Sequence, residues 1–145
     1  MTPSPFVVDN SVVVAWGLGE GDRYADAVID LLTEREAHVP SVWPLEFANV
    51  LVVAERRGRL SEADALRLRE LVHALPIRVV PDSTARVLSN VVALARKHHL
   101  SAYDASYLDL AMREGLPIAT LDGSLRRAAG SAGVPLVGGP SRRPR

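Results

Sequence analysis

The chain contains no cysteine. Disulfides, thiolate nucleophiles and thiolate metal sites are therefore excluded, and a bound metal must take oxygen or imidazole ligands. Net charge is also absent, with 17 basic and 17 acidic residues, so the basic excess of many nucleic-acid binders is missing from the totals. Totals hide distribution: if several acids converge in one pocket, the remaining surface is basic on average. Lysine is nearly absent, Lys97 being the only one among the 17 basic residues. Arginine suits phosphate recognition, although a GC-rich genome yields the same bias. No apolar run reaches the roughly 18 residues of a membrane span, and Met1 to Pro5 lacks the charged and apolar regions of a signal peptide. A cytoplasmic location fits these absences. What is present is a chain of 145 residues, 48% of them apolar, enough for one globular domain with a real core.

Short strand-like runs alternate with longer helical patterns. The runs are Phe6–Asp9, His38–Pro40, Ile77–Val80, Pro117–Thr120 and Pro135–Val137. That alternation predicts an α/β domain of three layers, α/β/α, around a central parallel sheet of about five strands. Helices are expected from Arg23 to Arg35, with Ala27, Val28, Leu31 and Leu32 on one face, and from Trp43 to Arg57, with Leu45, Ala48, Val52 and Val53. Others run from Ser61 to about Leu75, from Asp82 or Ser83 to His98, from Ser101 or Ala102 to Glu114, and briefly after Asp122. Residues 1–138 form the expected domain; the Arg-rich tail 139–145 is expected to be disordered.

Four acids stand near helix starts: Asp9, Glu46, Asp104 and Asp122. Asp9 and Asp122 directly follow strands, where open α/β sheets bind ligands. Each has a bland alternative as a helix cap or a dipole-favoured acid. Ser11 can take over the capping from Asp9. Asn49 lies three residues beyond Glu46, on the same helix face. Thr120 and Asp122 alternate onto one side of their strand. Asp109 lies about 140° round the helix from Asp104 and reads as a surface acid. Four acids on one rim are hard to explain as caps alone. Two carboxylates about 5 Å apart repel by roughly 3 kcal/mol at an effective dielectric near 20. A hard cation with oxygen ligands, Mg²⁺ or Mn²⁺, relieves that repulsion.

Together these segments resemble a PIN domain, most closely a VapC-type toxin ribonuclease. Val7-Val8-Asp9-Asn10-Ser11 resembles the opening strand and first acid, and Glu46 with Asn49 the second motif. Leu100 to Leu108, containing Ser101-Ala102-Tyr103-Asp104, resembles the third, and Ala119-Thr120-Leu121-Asp122 with Leu125 the fourth. The resemblance implies that Asp9, Glu46, Asp104 and Asp122 are catalytic and metal-binding, with Ser11, Asn49 and Thr120 as accessory polar residues. It also implies metal-dependent RNA cleavage, homodimerisation and neutralisation by a cognate antitoxin. Asn10 and Asp109 depart from the family pattern, but neither removes an expected acid.

The four histidines, His38, His73, His98 and His99, lie away from the four motifs, which leaves metal-activated water as the expected nucleophile. A haloacid-dehalogenase-type phosphotransferase would want an acid where Ser11 stands. A receiver domain would want a lysine at a strand end, and Lys97 lies in a predicted helix. A catalytically silent PIN-like domain that binds RNA or a partner is the remaining alternative. Finally, the helices around Trp43–Arg57 and Ser83–His98 carry more apolar positions than one sheet face uses, which points to a further interface.

Overall fold

A computed structural model describes residues 3–138. Strand β1 (Phe6–Val8) is wholly buried, as a parallel strand covered on both faces must be. It leads into helix α1 (Asn10–Gly17). Helix α2 (Arg23–Asp30) follows, capped by Asp22 on the Ala25 amide, and a 3₁₀ turn (Leu31–Thr33) closes it. Strand β2 (Ala37–Pro40), α3 (Trp43–Arg56) and α4 (Glu62–His73) come next. Pro44 sits in the first turn of α3, where its missing N–H is not needed. Ser61 and Asp64 close a full capping box at the start of α4.

Strand β3 (Ile77–Val80) leads to α5 (Thr84–Arg86), a π-helical turn (Val87–Val91) and α6 (Val92–His98). Helix α7 (Ala102–Glu114), β4 (Ile118–Ala119) and α8 (Gly123–Ser131) complete the described elements.

The sheet is parallel, in the order β3-β2-β1-β4. From β1 the chain adds strands on one side and then returns to place β4 on the other. The order therefore reverses between β1 and β4, the position where open α/β sheets hold their ligands. Helix α7 packs against β1 and β2 with α6 and α8 beside it, while α1 contacts α2, α3 and α4. Residues Ala105 to Ala111 of α7 are buried without a break.

The α/β class, the parallel sheet and the helix order agree with the sequence reading; several details differ. Among the described residues four strands form instead of about five. Leu136 makes only a single parallel bridge with Ile118. Pro135 has no N–H to extend the ladder, and Gly138, at φ 59°, turns the chain away. The helix from Arg23 ends at Asp30, and Ala27 is exposed. In α3 the buried face is Trp43, Phe47 and Ala54, whereas Leu45, Ala48 and Val52 are exposed. The single helix expected to reach His98 is interrupted by the π turn, where one extra residue per turn re-aims its side chains. The tail 139–145 lies outside the described residues.

Asp109 is a further correction. It is buried, and Arg86 grips it with two bonds, Nε to Oδ2 at 2.9 Å and Nη2 to Oδ1 at 3.0 Å. Arg113, one turn along α7, has its Nε 3.5 Å from Asp109 Oδ2 and donates from Nη2 to Asp82 Oδ1 at 2.7 Å. Asp82 Oδ2 in turn accepts from the Ser41 hydroxyl at 2.9 Å. The angular separation from Asp104 is right, but the far side of α7 is interior. The network ties α7 to the loops after β2 and β3.

Candidate active site

Asp9 stands at the N-cap position of α1 but makes no cap hydrogen bond. Its Oδ2 accepts instead from Ser11 Oγ at 2.7 Å and from Thr120 Oγ1 at 2.8 Å. Each hydroxyl has one proton, and both protons are committed to Asp9. The 3.4 Å approach of the two hydroxyls is thus a contact rather than a further bond. Their lone pairs take backbone donors: Ser11 Oγ accepts from the Leu121 amide at 3.0 Å, and Thr120 Oγ1 from the Asp122 amide at 3.0 Å. This lattice stitches the carboxyl end of β1 to that of β4. Burial pushes the Asp9 carboxyl up from its ordinary value, and the two hydroxyls pull against that rise.

Glu46 lies in the first turn of α3, and its Oε1 accepts from Tyr107 Oη at 2.6 Å. Burial raises its pKa, the Tyr107 bond opposes this, and the charge of Asp9 adds to it. Burial, and the Glu46 carboxylate it donates to, drive the Tyr107 hydroxyl firmly toward its protonated form. Tyr107 thus holds Glu46 from the next layer, a role the sequence reading did not assign. Its place three residues after Asp104, one turn along α7, was the available signal.

Asp122 does cap α8, its Oδ2 accepting from the Leu125 amide at 2.8 Å. The bland reading is correct for that oxygen, and Oδ1 is not used in the cap. Asp104 behaves differently. Ser101 caps α7 on the Asp104 amide at 3.0 Å, yet among the described residues no donor reaches the Asp104 carboxylate. Its pKa is raised to about 6. Burial is the largest cause, followed by the charges of Asp9, Asp122 and Glu46. Asp104 stands in the first turn of α7, as Asp9, Glu46 and Asp122 stand at the starts of α1, α3 and α8, and the charges of all three bear on it.

The four do not close into a ready-made cage. Among the described residues no three acidic or imidazole side chains are grouped tightly enough to hold an ion directly. The donor set nonetheless suits a hard, hydrated cation. It is all oxygen, it is anionic, and its one unbonded carboxylate is held well above its ordinary value by burial and by its neighbours. Asn10 adds a further oxygen: its Oδ1 is shut off from solvent without a hydrogen-bond partner. Mg²⁺ and Mn²⁺ keep several waters, so carboxylates can hold them through the hydration shell. Asn49 is exposed on α3 and lines, with Glu46, Asn10 and Tyr103, a groove of about 650 Å³.

Of the histidines, His38 is enclosed by Glu114 at 2.8 Å and Glu36 at 2.9 Å, on strand β2 and away from the acids. His99 ends α6 in the left-handed region, at φ 55°. His38, held by two other carboxylates, is not placed to act as an acid or base beside Asp104.

A PIN domain family model matches residues 6–131. The chain belongs to the PIN-domain family. Ribonuclease VapC3 of Pyrobaculum aerophilum is 34% identical over 119 residues, which is 82% of this chain and 90% of that protein. The crystal structure of PAE2754 from the same organism superposes with a TM-score of 0.67 at 26% identity, over 86% of this chain and 84% of that one. VapBC2 from Rickettsia felis, solved bound to a DNA fragment from its promoter, shares this PIN fold with a TM-score of 0.65 at 9% identity. The overlap covers 91% of this chain and 96% of that one. A toxin–antitoxin complex from Klebsiella pneumoniae shares it at a TM-score of 0.58 and 19% identity, over 81% and 86% of the two chains. Among the described residues no helix of this PIN domain is long and apolar enough to cross a membrane.

Proposed function

We propose that this PIN domain is a metal-dependent endoribonuclease and the toxin of a toxin–antitoxin pair, with Asp9, Glu46, Asp104 and Asp122 as its catalytic and metal-holding acids. One observation carries the reading. The only one of the four carboxylates without a hydrogen bond is raised to about 6 by burial and by the other three, at the reversal point of the sheet. Similarity over 82% of this chain to a protein named as a ribonuclease supports the same conclusion.

When bound, Mg²⁺ or Mn²⁺ supplies Lewis acidity that activates water and stabilises charge on the phosphoryl oxygens and the leaving oxygen. The chain's own contribution is positioning. Ser11 and Thr120 fix one oxygen of Asp9, Tyr107 fixes one oxygen of Glu46, and the cap bond fixes one oxygen of Asp122. These three acids are held in orientation before substrate arrives. Asp104, free of such bonds, is the carboxylate available to orient the attacking water and accept its proton. Burial of β1 and β4 beneath the acids excludes bulk water from that side.

Partners follow from the surface. Leu45 on α3 and Leu88 on the π turn are 73% and 68% exposed, more apolar surface than a lone domain needs. We assign it to a homodimer contact and to an antitoxin segment covering the groove beside the acids. The test is incubation of purified protein with single-stranded and looped RNA, with Mg²⁺ or Mn²⁺ and then EDTA. Cleavage is expected only with metal. Cleavage that persists in excess EDTA, from a preparation in which Asp9→Asn shows no background nuclease, contradicts the proposal.

A further inference from the structure

Tyr103 is the only aromatic side chain among the described residues that is strongly exposed, at 60%. Phe6, Trp43, Phe47 and Tyr107 are buried, and Trp16 and Tyr24 are half-buried in the core's margin. An exposed aromatic is anomalous in a chain that buries the others so thoroughly. Its position is more telling still. Tyr103 occupies the first turn of α7, immediately before Asp104, and lines the groove whose opposite wall is α3. That wall carries Glu46, one of the four acids, and Asn49, its exposed neighbour one turn along. Asn10, the residue after Asp9, also lines the groove, and its Oδ1 is the buried acceptor with no donor.

We propose that the inner end of this groove is a nucleobase subsite, holding the base next to the scissile phosphodiester of a single-stranded RNA. Tyr103 stacks on the face of the base, and the exposed amide of Asn49 takes its edge. The inference rests on the ribonuclease reading above and adds to it the part of the substrate that these residues recognise. Three features favour a base over other occupants. Unpaired bases are recognised by stacking on aromatic rings and by hydrogen bonds to their exposed edges. An Asn amide offers one acceptor and one donor pair, the complement of a base edge. Glu46 itself lines the groove and Tyr103 directly precedes Asp104, so a base held here lies next to two of the acids.

An apolar protein segment fits the outer end of the groove, at Leu45 and Val52. It does not explain the inner end. Its apolar side chains offer nothing for the exposed Asn49 amide to pair with. It also gains nothing from contact with an acid centre.

The test uses the full chain, Mn²⁺ and synthetic single-stranded RNAs that differ in one base beside the cleavage position. Tyr103→Phe, Tyr103→Leu and Asn49→Ala are compared with wild type, and a Mn²⁺-induced melting shift reports whether the acid centre is intact. Tyr103→Phe is expected to behave as wild type, since stacking needs the ring and not the hydroxyl. Tyr103→Leu is expected to raise KM by roughly tenfold, the scale of one lost base stack, with kcat less affected and the Mn²⁺ shift retained. Asn49→Ala is expected to flatten the discrimination among the four bases. Unchanged KM in Tyr103→Leu together with unchanged base preference in Asn49→Ala overturns the proposal. So does loss of self-association or of antitoxin binding with RNA kinetics intact, which gives the groove to a protein. Loss of the Mn²⁺ shift in Tyr103→Leu overturns it too, by assigning Tyr103 to the acid centre. If wild type cleaves none of the RNAs while it still binds Mn²⁺, the ribonuclease reading fails instead, and the two failures are thereby distinguished.

Discussion

Asp104→Asn removes a charge that the metal-free protein holds at a cost, so the variant is expected to be more stable than wild type in EDTA. The Asp104 carboxyl moves from 3.8 to about 6 on folding. At 1.36 kcal/mol per pH unit, that rise corresponds in full to about 3 kcal/mol. Asp104 is only half-buried and water screens its interactions, so about 1–2 kcal/mol is the working figure. The sign follows from proton binding. Between pH 3.8 and about 6 the native state holds more of the Asp104 proton than the unfolded chain, so stability falls as pH rises through that window and stays low above it. Burial also raises Asp9 and Glu46, which act in the same direction. The variant's advantage should therefore be near zero at pH 4 and complete by pH 7. For a domain of this size it amounts to roughly 3–6 °C in melting temperature. Thermal melts in EDTA at several pH values measure it. Added Mn²⁺ should reverse the order, because an ion that binds only the native state stabilises it by mass action. A capping role for Asp104 requires the opposite sign in EDTA, since Asn carries no charge for the helix dipole. A variant that melts lower than wild type in EDTA at pH 7, with no Mn²⁺ shift in wild type, refutes the reasoning.

Three further outcomes are expected. Asp109→Ala takes from Arg86 its two-bonded partner while Arg113 keeps Asp82, and it should destabilise the fold; a denaturant midpoint close to wild type contradicts the network. Tyr107→Phe removes the bond that holds the Glu46 carboxyl down, so the acid limb of the rate–pH profile should move to higher pH, and an unmoved limb counts against the Glu46 assignment. Thr120→Val takes one hydroxyl from Asp9 and should weaken Mn²⁺ binding by roughly tenfold or more, as losing the partner that orients a ligand does; calorimetric titration checks this, and unchanged affinity removes Thr120 from the site.

The sequence carried most of the site because its signals are local. A buried apolar strand ending in an acid is legible at Val7-Val8-Asp9, but Ser11 does not take over the cap: its hydroxyl donates to Asp9 and accepts from the Leu121 amide, and α1 has no side-chain cap bond. Convergence of the four acids was expected from repeated strand-to-helix positions; each does stand at a helix start, but among the described residues no three are grouped tightly enough to hold an ion directly. What was missed depended on contacts between elements. Asp109 sits in a helix buried on all sides, a fact that no single amphipathic stripe reveals, although Arg113 four residues on offered its partner in plain view. The inner face of α3 was misjudged because Trp43, Phe47 and Ala54 compete with Leu45, Ala48 and Val52 as apolar stripes. Only the sheet decides which stripe faces inward. The stacked pair Trp43–Phe47, with ring centroids 5.7 Å apart, fills that space.

The central claim is that Asp9, Glu46, Asp104 and Asp122 act as one centre. Single-turnover cleavage of one RNA in Mn²⁺ by Asp9→Asn, Glu46→Gln, Asp104→Asn, Asp122→Asn and their pairs tests it most directly. Residues that act as a unit are strongly non-additive. Each single variant, shown folded by its melt, should lose roughly 100-fold or more in rate, and pairs should lose little beyond that, while Arg67→Ala on the exposed face of α4 should cleave as wild type. A folded variant of any of the four that cleaves at the wild-type rate contradicts the account.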